Sequence, residues 1–177
     1  MGDVTVVRTE RLLLTATGPR DAEALAPIMA DPDGWWYEPE SRHTSPERTR
    51  AWLERAAQRW DEGLSYWTIR LAETDEVIGV GGVQRHSGGG WNLSYRIGTA
   101  HQGNGYATEV TRAAIEAAHQ VDPDAPVIAW VAAHNTPSRK VAERAGLTDQ
   151  GERLDTNDNT MRHAYADRPL PAPTRAD

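Results

Sequence analysis

Residues 101–110 read HQGNGYATEV. Gly103 and Gly105 flank a single asparagine, and a helix-forming run starts directly behind them. Upstream, WNLSYRIG (91–98) has the β-branched and aromatic content of a strand. The stretch is therefore a glycine loop between a strand and a helix. Glycines there free the backbone to take unusual φ angles and to approach a ligand closely. Successive N–H groups can converge on an anion, and the helix N-terminus adds partial positive charge. The predicted ligand feature is a phosphate or pyrophosphate. Composition alone leaves a plain glycine turn as an equal alternative.

Working outward, GYATEVTRAAIEAAHQ (105–120) predicts the helix and APVIAWVAAHN (125–135) a buried strand. TPSRKVAERAGL (136–147) predicts another helix, with Thr136 able to cap, Pro137 at its first position and Gly146 ending it. Upstream, LSYWTIRLA (64–72) and VIGVGGVQRH (77–86) are strands, and SGGG (87–90) is a hairpin turn into 91–98. RLLLTAT (11–17) is a strand and RDAEALAPIMADP (20–32) a short helix. SPERTRAWLERAAQRWDEG (45–63) is a helix with Ser45 as N-cap. GWWYEPESRHTSP (34–46) is a loop carrying three adjacent aromatics. Two last strands fall near 149–155 and 160–168, and 171–177 is a loose tail. The hairpins imply antiparallel pairing, and the strand–helix–strand unit from 91 to 133 implies one parallel pair. An α/β (α+β) domain with a mixed, mostly antiparallel sheet follows, with helices on both faces.

The bulk composition narrows the function. A chain of 177 residues fits one domain. No apolar run approaches the roughly 20 residues that span a bilayer, and the N-terminus lacks a signal-peptide pattern. A cytoplasmic protein without membrane partners is the expectation. Net charge is −7, which argues against nucleic acid as a partner. The absence of cysteine excludes cysteine nucleophiles and thiolate metal sites. The histidines form no HxxxH or HExxH pair, so no metal is expected. The GxxxxGK[ST] loop is absent, and Thr108 stands where GxGxxG needs its third glycine.

Taken in order, these motifs resemble the GNAT superfamily of acyl-CoA-dependent N-acetyltransferases, and within it the RimJ/RimL-type branch. Gln102-Gly103-Asn104-Gly105-Tyr106-Ala107 matches the family loop [RQ]-x-x-G-x-[GA], and Thr108-Glu109 continues the branch's GYATE. TERLLLTA and VIGVGGV resemble its first and third strands, and HNTPSRKVAERAGL its second conserved block. The matches run in family order from about residue 8 to 147.

The resemblance implies one GNAT domain over 1–170, about seven strands with four helices, and a splay between the fourth and fifth strands. Acetyl-CoA is the implied co-substrate, its pantetheine arm entering that splay. Main-chain groups near Ile97 and Gly98 would pair with the arm. N–H groups from Gln102 to Thr108 (through Gly103, Asn104, Gly105, Tyr106 and Ala107) would hold the pyrophosphate. Asn135 would hydrogen-bond the cofactor. Ser138 aligns with the serine proposed to protonate the leaving thiolate, against a helix-capping or cofactor-binding role alone.

One position departs from the pattern. The branch often reads A-E-L-G-Y on its fourth strand, with the Glu facing substrate; here Asn92 stands at the Glu position. An amide cannot accept a proton at neutral pH, though it can position a water or the substrate. Alternation puts Asn92, Ser94 and Arg96 on one face. With the hairpin centred on Gly88, Gln84 lies opposite Asn92, giving a polar floor without a base. His86, His43, Glu38, Glu40 and His163 are candidates acting through water. Trp35, Trp36 and Tyr37 form the expected acceptor wall, able to face a cation; filling a core that has no Phe is the alternative. Trp67 and Trp91 are further candidates, with a core role favoured for Trp67. The expected acceptor is a small amine. A peptide or protein N-terminus is the alternative, as is a non-catalytic acyl-CoA-binding module. A homodimer is compatible with the branch.

Overall fold

The computed structural model describes residues 2–173. Strands β1 (Val6–Arg8), β2 (Leu12–Ala16), β3 (Tyr66–Leu71), β4 (Val77–Arg85), β5 (Trp91–Ile97), β6 (Val127–Val131), β7 (Thr148–Asp155) and β8 (Thr160–Ala166) form one sheet. Its order is β1-β2-β3-β4-β5-β6-β8-β7. Every neighbouring pair is antiparallel except β5–β6, which is parallel. Helices α1 (Ala22–Ala30), α2 (Pro46–Gln58), α3 (Tyr106–Val121) and α4 (Thr136–Arg144) complete the fold. The mixed, mostly antiparallel sheet and four helices agree with the sequence reading. The sheet has one strand more than expected. β1 is a three-residue edge strand with mostly exposed side chains, too short to print a period-2 pattern.

Strand alternation puts core on both faces of the sheet, with a small third cluster of Ile128, Ala164 and Ala166 at β6 and β8. Trp67, Ile69, Val83, Trp91, Leu93 and Ile97 share one cluster with Val110, Ala113, Ala114, Ala117 and Ala118 of α3. Alanine at those i, i+3, i+4 positions lets α3 lie close to the sheet. The other face carries Tyr66 and Val80 against Leu25 and Met29 of α1, Leu53 and Ala56 of α2, and Trp35.

Ser45 caps α2 as read, its Oγ accepting from the Arg48 N–H. At α4 the cap is Asn135 rather than Thr136: Asn135 Oδ1 accepts from the Ser138 N–H, and Pro137 moves to the second position. Asn is as good a cap as Thr, so spacing alone could not choose between them. Residues 174–177 of the expected tail lie outside the described residues. Pro171 is held, its carbonyl accepting from Arg153 Nη1 at 2.6 Å.

Strands β5 and β6 create the opening that matters. They pair only at Trp91–Val127, Asn92–Ile128 and Leu93–Ala129, although β5 runs on to Ile97 and β6 to Val131. From Tyr95 onward β5 has β4 on one edge and, among the described residues, no strand on the other. This is the expected splay between the same two segments, renumbered by the extra N-terminal strand.

Candidate active site

A cavity of about 440 Å³ occupies that opening. Leu93, Ser94 and Tyr95 of β5, Ala129–Ala132 of β6 and its exit, and Asn135 and Ser138 of α4 line it. The aromatic loop, α2 and the β7–β8 hairpin enclose the remainder through Trp35, Tyr37, Glu38, His43, Trp52, Asp155, Asp158 and Arg162.

Beyond the end of β5, Gly103 and Gly105 both take φ +82°, the left-handed conformation that glycine accepts freely. Gly105 is the N-cap of α3 and offers no side-chain cap. The N–H groups of Gly103, Asn104, Gly105, Tyr106, Ala107 and Thr108 have no hydrogen-bond acceptor among the described residues. The first N–H taken up is that of Glu109, bonded to Gly105 O. Six consecutive donors at the positive end of a sixteen-residue helix suit an anion. The loop is braced from outside. Glu109 accepts from Thr9 Oγ1 and from the Arg11 N–H and Nε, and Arg11 Nη1 donates to Asn104 O at 2.8 Å. Burial works to raise the Glu109 pKa, but these hydrogen bonds outweigh it and hold the carboxyl below its usual range.

Of the cofactor positions read from sequence, Asn135 and Ser138 line the cavity, while those at 97, 98 and 102–108 lie at the end of β5, on the loop and in the first turn of α3, outside its lining. The Gly98 N–H is spent on Ile78 O, and Ile97 O accepts from Gln102 Nε2. Gln102 therefore braces the loop by its side chain, and its own N–H turns back towards Thr99 O.

Asn92 and Ser94 line the cavity on one face with Arg96, as alternation required. Asn92 Nδ2 lies 3.5 Å from Tyr66 Oη, and burial raises the Tyr66 hydroxyl above its ordinary pKa. Gln84 does pair with Asn92 in register. Its amide, however, accepts from Arg59 and donates to Ser65 Oγ, so it serves the α2 side and not the cavity. Trp67 and Trp91 are fully buried on the α3 face, away from the aromatic loop.

That loop is pinned from three directions. Arg96 donates to Gly34 O and Tyr37 Oη and lies 3.4 Å above the Trp35 ring. His134 Nε2 donates to Tyr37 O, and Arg162 Nη2 to Glu38 Oε1. Trp35 is buried, lines the cavity and donates to Met29 O, while Trp36 is 54% exposed, packs edge-on against Tyr37 and His134, and lies outside the cavity lining.

Of the candidate bases, Glu38 and His43 reach the cavity. His43 packs between Trp35 and Trp52. Burial, together with the positive charges of Arg48, Arg96 and Arg55, pushes its pKa down to about 4. His86 is bonded to Asp155 and to the Gly88 N–H, and His163 to Asp149, both outside the lining. Glu40 is exposed on its loop.

Sequence reasoning missed Tyr95, whose hydroxyl donates to Ser138 Oγ at 3.1 Å. It also missed Arg162, which joins Glu38, Asp155 and Asp158. Tyr95 stood at the Tyr of the A-E-L-G-Y pattern, which was a usable signal. Nothing local marks Arg162, since its partners lie on a distant loop and across a hairpin.

Residues 11–148 match the family model described as an acetyltransferase (GNAT) domain. The chain is 28% identical to an uncharacterised N-acetyltransferase, p20, of Bacillus licheniformis over 146 residues, 81% of this chain and 82% of that protein. Among solved structures, an acetyltransferase of Agrobacterium tumefaciens superposes with TM-score 0.75 at 26% identity, covering 94% of this chain and 95% of the other. RimL, a ribosomal-protein α-N-acetyltransferase solved with coenzyme A, superposes with TM-score 0.76 at 18% identity, over 91% and 96% of the two chains.

Proposed function

The chain belongs to the GNAT acetyltransferase family, and we propose that it moves an acetyl group from acetyl-CoA to the primary amine of a small acceptor. The six N–H groups of 103–108, which have no acceptor among the described residues and follow on β5 where it has parted from β6, carry this reading. They suit the pyrophosphate, and the gap suits the pantetheine arm. Asn135, Ser138 and Tyr95 then lie where the thioester would end. RimL is a relative of this fold that holds coenzyme A.

The amine must arrive neutral, because an ammonium has no lone pair. Its nitrogen attacks the thioester carbon directly, since a chain without cysteine cannot form an acyl-cysteine. A donor facing the developing oxyanion is worth about 3 kcal/mol, and β5 main chain opposite the gap is suited to that role. The C–S bond breaks, and Ser138 gives the sulfur a proton. Asn92 and Ser94 orient the amine and its water without taking a proton from it. Trp36 and Tyr37 wall the acceptor side.

The small-amine reading rests on the enclosing loop: clamps from β5, from His134 and from β8 narrow the approach. A protein N-terminus, the substrate class of RimL, would need that loop to open. The test is release of CoA thiol from acetyl-CoA with a panel of amines and N-terminal peptides. The protein contributes no thiol background. Turnover confined to small amines is expected. Turnover confined to peptides overturns the acceptor class. Binding of acetyl-CoA without any turnover makes the protein a binding module.

A further inference from the structure

Two hydroxyl groups meet across the β5–β6 gap. Tyr95 is on β5 beyond the last residue paired with β6. Its side chain takes the face opposite Asn92, Ser94 and Arg96. Gly81 is its register partner on β4, and a Cβ there would come within 2.7 Å of Tyr95 Cβ. Glycine at 81 therefore makes room for the ring. On the far side of the gap, Ser138 is held in the first turn of α4 by the Asn135 cap. The Tyr95 hydroxyl spans the opening and donates to Ser138 Oγ at 3.1 Å.

The direction of this bond has a chemical consequence. A serine hydroxyl has one proton and two lone pairs. Here Tyr95 occupies a lone pair, and the Ser138 proton has no acceptor among the described residues. Both side chains line the cavity.

We propose that Tyr95 is a positioning residue for acetyl transfer: by donating to Ser138 Oγ it leaves the Ser138 proton as the one presented to the leaving sulfur. This rests on the reading of Ser138 as the acid. As the C–N bond forms and the C–S bond breaks, the electron pair of that bond stays on sulfur and takes the Ser138 proton. Negative charge then builds on Oγ, and a hydrogen bond to the charged form favours it. The excess proton of the new amide nitrogen, passed through water, restores the serine. Tyr95 keeps its own proton throughout. Burial pushes its pKa up to about 12, so it remains a donor across the working range.

Tyr95→Phe keeps the ring and removes the bond. The expected result is a fall in kcat of about tenfold, with acetyl-CoA KM and directly titrated CoA affinity unchanged. Ser138→Ala lowers kcat further, by about a hundredfold, and the double variant is no slower than Ser138→Ala alone. Losses that multiply, or a matching loss of CoA affinity, assign Tyr95 a packing role and overturn the proposal. Full activity of Tyr95→Phe beside a slow Ser138→Ala also overturns it while leaving the acid role standing. Full activity of Ser138→Ala overturns the acid role itself. Incorporating 3,5-difluorotyrosine at position 95 keeps the shape and makes the phenol more acidic. The alkaline limb of the kcat profile should then move to lower pH, because the phenolate cannot donate. An unmoved limb refutes the positioning role.

Discussion

At the scale of single residues, Asn92 and His43 are the side chains whose chemistry is most open to test. Asn92 lines the cavity where the family pattern has a carboxylate, and its amide has no proton-accepting form. Asn92→Glu is expected to add an ionisation to the kcat/KM profile, with activity rising as the new carboxyl deprotonates. An unchanged profile would mean that position 92 is not at the base site. His43 gives a stability prediction. Its folded pKa of about 4 lies below the ordinary value of 6.5. Between those values the unfolded chain binds a proton that the folded chain refuses. Stability should therefore be constant above about pH 6.5 and fall as pH drops from there towards 4. His43→Gln should flatten that part of a melting-temperature profile; a curve of the same steepness would assign the acid sensitivity to other groups.

At the scale of elements, the proposed function gives the glycine loop and the aromatic loop separate jobs. Gly105 holds φ +82°, which costs an L-residue about 1–2 kcal/mol. Gly105→Ala should weaken CoA binding about tenfold and leave the amine KM unchanged, as measured by CoA titration and initial rates. In the aromatic loop, neighbouring tryptophans should behave oppositely. Trp36 is exposed beside Tyr37, and Trp36→Ala should raise the acceptor KM while acetyl-CoA affinity holds. Trp35 is buried under Arg96, and Trp35→Ala should cost about 3–5 kcal/mol of stability in denaturant unfolding. Equal losses of both ligands with Trp36→Ala would make Trp36 structural as well. The elements themselves were legible because their signals are local. The Ser45 cap, the alanine stripe of α3 and the Gly88 hairpin each lie within one stretch of chain. β1 and the Asn135 cap were not, the first being too short for a period and the second having an equally good neighbour.

At the scale of the whole molecule, the sheet is weakest where it parts. β5 and β6 share three register pairs, and the contacts that bridge the gap beyond them are side-chain bonds such as Tyr95–Ser138. A ligand lying in the gap and on the loop should tie the two halves together. CoA at a hundred times its Kd adds about 2.7 kcal/mol of stability, worth roughly 5–10 °C in melting temperature for a chain of this size. A thermal shift assay with CoA reads this directly, and no shift at saturating CoA would remove the gap as its site. Among the described residues no helix is long and apolar enough to cross a membrane.

The sequence by itself determined the order of strands and helices apart from β1, the family motif at 102–109 and the polar face of Asn92, Ser94 and Arg96. Each depends on spacing along one segment, which backbone periodicity converts into geometry. The tertiary structure alone decided what those faces meet. It turned Gln84 towards Arg59 and Ser65, took the Gly98 N–H for β4, brought Arg162 to Glu38 from 124 residues away and set the Tyr95 hydroxyl on Ser138. Hydrogen bonds between distant residues depend on how strands are ordered and where they separate, and no local pattern encodes either.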